Sequence, residues 1–297
     1  MQTSLQFYLL STLNFSILYS ISCCIVYRLK SEGLSLTPIT SQTFTMSVRL
    51  DIFDIDIPQL NRTRTIRVLL PSDYDSSNRH YPVVYAFDGQ NLFQSETSFS
   101  GDWGMMKTME KATKNQNAII VGIDNGGDLR LDEYAPYKTK GRYKHTNGRG
   151  GEGGAFIRFV TDTLKPEIDS QYRTLGDRKN TSILGSSLGG LISFYGGMVR
   201  SDIFGNVCVL SPAFWFNPEV LKLPETNNAL RSRVYVVGSK NESKFMADTL
   251  QQTYWALKNN GWNDADFTVI VRDKGKHNEI FWSKEFKIML PWLSNSN

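Results

Sequence analysis

Gly185-Ser186-Ser187-Leu188-Gly189-Gly190 follows the strand-like run Thr181-Ser182-Ile183-Leu184 and precedes the apolar stretch Leu191-Ile192-Ser193-Phe194-Tyr195. The order reads as strand, sharp turn, then helix, with Ser187 central in Gly-x-Ser-x-Gly. Glycines at both ends remove the Cβ atoms that would clash when the turn forces its central residue into a strained conformation. Ser187 then stands above a sheet edge, at the start of a helix whose first N–H groups and dipole face any oxyanion that forms. Such a serine becomes a nucleophile once a base takes its proton.

The base must come from His80, His145 or His277, the only histidines of the chain. For a serine on this kind of elbow the chain order is nucleophile, acid, histidine, and only His277 follows Ser187. It lies in the polar loop Asp273-Lys274-Gly275-Lys276-His277-Asn278-Glu279, after the strand-like Phe267–Val271 and before Ile280-Phe281-Trp282. A last-strand loop there delivers an imidazole to the sheet edge, with a pKa suited to general base work. A carboxylate must fix its tautomer, and Asp202, Glu219, Glu225, Glu242, Asp248, Asp264, Asp266 and Asp273 are the candidates in between. Arg233-Val234-Tyr235-Val236-Val237 reads as a buried strand ending at Gly238-Ser239, so Glu242 falls just beyond its C-terminal end. Asp248 is the alternative, a turn or two into a helix whose apolar stripe is Phe245, Met246, Leu250, Tyr254 and Leu257. Glu242 would then merely open that helix. Tyr81–Phe87 reads as a strand ending in Asp88-Gly89-Gln90-Asn91, where Gly89 lets the backbone turn its amides inward. The N–H groups of Gln90 and Leu188 are the expected oxyanion hole.

Asp88-Gly89-Gln90-Asn91-Leu92-Phe93, Arg130-Leu131-Asp132-Glu133-Tyr134-Ala135-Pro136, Phe156-Ile157-Arg158-Phe159-Val160 with Leu164-Lys165-Pro166-Glu167-Ile168-Asp169, Gly185 to Gly190, and Ser211-Pro212-Ala213-Phe214-Trp215 together resemble the putative esterase (esterase D-like) family of α/β hydrolases, over about residues 47–293. The resemblance implies an α/β-hydrolase fold, a doubly wound, mostly parallel sheet with helices on both faces. It also implies ester hydrolysis through an acyl-enzyme on Ser187 with His277 as base. In that family a Gly-x-x-x-Glu loop after the penultimate core strand supplies the acid, which favours Glu242, and the amide two residues past the Asp of Asp-Gly supplies an oxyanion donor, which favours Gln90. Arg130 and Glu133 of the second motif are expected to meet substrate, as are Trp103 and Trp215, whose rings could wall an acyl or sugar pocket. The family includes siderophore esterases, thioester hydrolases and esterases of acylated sugars, so the expected partner is a small-molecule ester of one of these kinds. Acyl transfer on the same triad and a non-catalytic binding protein on a hydrolase fold are the alternatives. The intact set Ser187, Glu242 and His277 argues against the second.

These groups need a scaffold, and 297 residues with 40% hydrophobic content supply one doubly wound domain. Expected strands are Val48–Ile55, Thr65–Leu70, Val83–Phe87, Ala118–Ile123, Ser182–Gly185, Val207–Leu210, Val234–Val237 and Phe267–Val271. Expected helices are Trp103–Asn115, Gly154–Gln171, Leu188–Arg200, Ser243–Asn259 and Glu279–Leu293. The esterase domain is placed at 47–297, after an N-terminal segment of residues 1–46.

A net charge of +4 is too small and too dispersed for a nucleic-acid partner. Lys138, Lys140, Arg142, Lys144, His145 and Arg149 cluster in the segment expected to hang over the site, either as a solvated loop or as an attractor for an anionic substrate. Gly148, Gly150 and Gly153 spell Gly-x-Gly-x-x-Gly without the strand that a nucleotide site requires. With no His-Glu-x-x-His, no paired cysteines and three histidines in all, neither a metal nor another cofactor is expected.

Leu5 to Tyr27 is apolar and long enough to span a bilayer, but Ser, Thr and Asn interrupt it, and its flanking basic residues, Arg28 and Lys30, come after it. Three readings follow: an uncleaved anchor, an atypical secretory signal, or sequence upstream of a start at Met46, which suits the onset of the resemblance near Val48. The last places the protein in the cytoplasm and the others at a membrane or outside the cell; a membrane is a partner only if residues 5–27 form an anchor. Cys23 and Cys24 lie inside that stretch, so Cys208 is alone in the domain and no disulfide framework is implied.

Overall fold

Uninterrupted apolar runs make the centre of the sheet. In the computed structural model, which describes residues 47–139, 146–226 and 230–294, β1 (Arg49–Ile57), β2 (Arg62–Leu70), β3 (Val83–Phe87), β4 (Ile119–Ile123), β5 (Thr181–Ser186), β6 (Asn206–Leu210), β7 (Arg233–Ser239) and β8 (Phe267–Arg272) form one sheet. Strands β3 to β6 are buried at every residue, as strands covered on both faces must be. The apolar stretch 5–27, Cys23, Cys24, Met46, Lys140, Arg142, Lys144 and His145 lie outside the described residues. Everything described belongs to the unit Met46–Asn297.

The strand order is β1-β2-β4-β3-β5-β6-β7-β8. β1 and β2 pair antiparallel, as do β2 and β4, while every neighbouring pair from β4 to β8 is parallel. The helices are α1 (Met105–Met109), α2 (Arg130–Glu133), α3 (Gly153–Phe159), α4 (Lys165–Gln171), α5 (Leu188–Val199), α6 (Leu223–Thr226), α7 (Met246–Asn259) and α8 (Glu279–Ser294). Alternation along each strand feeds two cores. Val83, Tyr85 and Phe87 of β3 pack with Phe156 of α3, Leu191 of α5 and Leu250 of α7, whereas Val84 and Ala86 face Met105 of α1 and Phe286 and Met289 of α8. This is the doubly wound α/β-hydrolase arrangement.

Two expected helices differ in ways that proline and glycine explain. Over Gly154–Gln171 the structure holds α3 and α4 joined by a π turn, Val160–Leu164. Pro166 has no N–H to donate and its ring would strike the carbonyl four residues back, so a widened turn makes room for it. Over Trp103–Asn115 only Met105–Met109 is helical, because Gly104 sits at φ 61 before it. Beyond it the Gln116 carboxamide accepts the Thr113 N–H at 3.0 Å and turns the chain.

Because β3, β5, β6, β7 and β8 run parallel, the loops leaving their C-terminal ends converge on one edge of the sheet. In open α/β sheets that edge is where ligands bind.

Candidate active site

Ser187 joins β5 to α5 at φ 57 and ψ −120, a backbone conformation that costs a non-glycine residue about 1–3 kcal/mol. Surrounding hydrogen bonds hold it there. Its N–H donates to the Leu210 carbonyl at 3.0 Å, and its carbonyl accepts from Leu191 at 3.0 Å and Ala213 at 2.9 Å. Gly185 is sterically required, since its Cβ would stand 2.3 Å from the Gly189 carbonyl oxygen, whereas one on Gly189 would press on the Asp88 carboxylate at 3.1 Å.

The loop after β8 brings His277 Nε2 to 2.9 Å from Ser187 Oγ. The loop after β7 brings Glu242 Oε2 to 2.8 Å from His277 Nδ1. Glu242 Oε1 accepts the Ser239 N–H at 2.6 Å, so the strand end itself fixes the carboxylate. Asp248 lies on α7 beside a different surface depression, with Trp255 and Val271, and makes no hydrogen bond to His277. Trp282 of α8 stands edge-on to the imidazole, with ring centroids 5.1 Å apart. Its indole N–H donates to Ser211 Oγ at 2.9 Å, and Trp103 packs behind it at 6.0 Å.

Two backbone N–H groups, that of Leu188 next to the serine in the chain and that of Gln90 in the lining of its cavity, are left without an acceptor among the described residues. Leu188 opens α5, so its N–H has no intrahelical acceptor, while the Ser187 N–H is already spent on Leu210. Gln90 lies in the 3₁₀ turn Gly89–Asn91, where the Asn91 and Leu92 N–H groups bond back to Asp88 and Gly89 and the Gln90 N–H does not. Asp88 sets that turn from the left-handed region, at φ 58. Its carboxylate accepts Arg130 Nε at 2.6 Å, Arg130 Nη2 at 2.8 Å and Asn125 Nδ2 at 2.7 Å. Burial works against the Arg130 charge, but the charge and hydrogen bonds of Asp88 outweigh it and hold the guanidinium more firmly protonated than usual.

Ser187 and His277 open into a cavity of about 420 Å³, which Gln90, Trp103, Asn125, Arg130, Glu279 and Trp282 help to line. Trp103 and Arg130, two of the expected substrate contacts, therefore lie in the wall of this cavity, with Arg130 paired to Asp88. Glu133 does not. It is fully buried, 2.6 Å from Arg64 Nη2 and 3.0 Å from Arg62 Nη1, because alternate residues of β2 project both arginines beneath α2. Trp215 is also outside the lining of this cavity. Phe214 and Phe216 on either side are buried, which turns Trp215 outward at 45% exposure, against the Phe216 ring. In the basic cluster, Arg149 is bound to Asp132, with Nε 2.8 Å from Oδ2, and to the Asp128 carbonyl. Asn125 and Glu279 also line the cavity, and no sequence motif marks them. Asn125 follows the end of β4 by two residues and Glu279 follows His277 by two, so strand-end position and nearness to the histidine were the available signals.

The family described as "Putative esterase" matches residues 57–293. Among curated relatives, "Uncharacterized protein YbbA" of Bacillus subtilis is 24% identical over 245 residues, 79% of this chain and 94% of that protein. "Ferri-bacillibactin esterase BesA" of the same organism is 32% identical over 176 residues, 54% of this chain and 58% of that protein. Among solved structures, an IroE-like serine hydrolase from Shewanella oneidensis superposes with a TM-score of 0.67 at 24% identity, covering 83% of this chain and 79% of that one.

Proposed function

The chain belongs to the putative esterase family and is a carboxylic ester hydrolase, and we propose that it acts through an acyl-enzyme on Ser187. Ser187 Oγ attacks the ester carbonyl while His277 Nε2 takes its proton. Glu242 holds His277 in the tautomer with the proton on Nδ1 and stabilises the imidazolium that forms. The N–H groups of Gln90 and Leu188 receive the negative charge of the tetrahedral intermediate. His277 then protonates the leaving alcohol, and the acyl group stays on Ser187 until His277 activates a water to release it. Donors fixed in advance need no reorganisation when the charge develops, which is where most of the acceleration arises.

The observation that carries this reading is the continuous set of hydrogen bonds from Ser187 Oγ through His277 to Glu242, at 2.9 and 2.8 Å. A fluorophosphonate followed by intact-mass and peptide mapping tests it. One adduct on Ser187 that blocks turnover of p-nitrophenyl acetate is the expected result, and labelling elsewhere with activity retained overturns it.

The substrate is a small-molecule ester. The name of the relative BesA makes a siderophore lactone the first natural ester to try, in a panel with an acylated sugar and a thioester at equal concentration.

A further inference from the structure

Glu279 is a buried carboxylate in the reaction cavity that the acyl-enzyme cycle does not use. It is 6% exposed, opens α8 two residues after His277, and lines the same space as Ser187. Its Oε2 accepts the Ser100 hydroxyl. Its Oε1 has no protein partner among the described residues and is not sealed from the cavity.

The other charged groups there explain why this matters. Asp88 and Arg130 lie against each other, with Nε 2.6 Å from Oδ1, and cancel at short range. Glu242 bonds His277 Nδ1 and adds a further carboxylate behind the site. Arg130 gives Nε and Nη2 to Asp88 and also feels the Glu279 charge, so its one positive charge is shared between the two carboxylates. The lining thus holds two carboxylates, Asp88 and Glu279, against one guanidinium, Arg130, which leaves an excess of negative charge. A partly enclosed, low-dielectric cleft strengthens the field of such a charge.

We propose that Glu279 is a specificity-determining residue of the ester site, selecting esters that carry a cationic or hydroxyl group near the scissile bond and disfavouring anionic ones. This rests on the Ser187 esterase reading. The Glu279 carboxylate accepts a hydrogen bond or pairs with a cation on the substrate, and an anionic substituent meets two carboxylates whose one cation, Arg130, they already share.

The full chain is assayed on two p-nitrophenyl esters of equal length, one of a trimethylammonio-alkanoic acid and one of a dicarboxylic acid. In the wild type, the ratio of kcat/KM for the cationic over the anionic ester is expected to narrow as salt rises from about 0.1 to about 1 M. In Glu279→Gln, which keeps the hydrogen bond to Ser100, the ratio is expected to fall about tenfold at low salt. A purely structural Glu279 would lower both rates together, and an unchanged ratio in Glu279→Gln overturns the inference. A wild-type ratio indifferent to salt overturns it without recourse to any variant. Turnover of both esters that persists in Ser187→Ala overturns the esterase reading, and this inference with it.

Discussion

Glu242 bonds His277 Nδ1 at 2.8 Å from a side chain only 1% exposed, whereas the imidazole it orients is 40% exposed. The asymmetry has a physical sense. A carboxylate taken out of water is tolerated only with its oxygens satisfied, and Ser239 N–H and His277 occupy one each. The exposed imidazole remains free to exchange protons with a substrate and with water.

Removing the nucleophile should abolish turnover. Ser187→Ala is expected to lose roughly 10⁶-fold in kcat, on the scale seen when a triad nucleophile is deleted, with an unchanged circular dichroism spectrum. Ser186→Ala should lose far less. A crippled Ser186→Ala beside an active Ser187→Ala would place the nucleophile one residue earlier.

Glu242→Gln should slow kcat by roughly 10⁴-fold, the scale of a lost tautomer control, because Ser187, His277 and both oxyanion donors stay in place. Asp248→Asn should have little effect, since Asp248 makes no hydrogen bond to His277. Steady-state kinetics on p-nitrophenyl acetate decides, and a reversal of the two effects would move the acid onto α7.

Gly185→Ala should destabilise the fold severely. Its Cβ would meet the Gly189 carbonyl oxygen at 2.3 Å, backbone against backbone, with no flexible side chain to yield. Gly189→Ala meets the Asp88 carboxylate at 3.1 Å, which a small side-chain shift relieves. Thermal unfolding should therefore rank Gly185→Ala well below Gly189→Ala, and equal midpoints would contradict the steric argument.

Glu133→Gln should destabilise without altering the chemistry. Neutralising Glu133 leaves buried Arg64 short of its carboxylate, while Arg62 keeps Glu152 at 2.6 Å, and breaking a buried pair costs about 3–5 kcal/mol. In a domain of this size that lowers Tm by roughly 10 °C. The kcat of the folded enzyme should stay near wild type. A large change in KM with Tm intact would return Glu133 to the substrate site.

The local sequence was enough to propose the serine, the histidine and the acid, because each depends on a strand end that an apolar run marks. β5, β7 and β8 announce their last residues, and the first polar loop beyond each supplies Ser187, Glu242 and His277. Tertiary structure decided the rest. Glu133 and Arg130 share one motif and one short helix, yet Arg130 reaches the cavity and Glu133 turns under it, according to which arginines the neighbouring strand happens to project. Trp103 and Trp215 are equal as sequence, but one is walled in by Trp282 and the other is turned outward by two flanking phenylalanines. Which face a side chain takes depends on partners far away in the chain. No local pattern encodes that, and for the same reason the charge of Glu279 acquires its place in the reaction cavity only once α8 docks against the sheet.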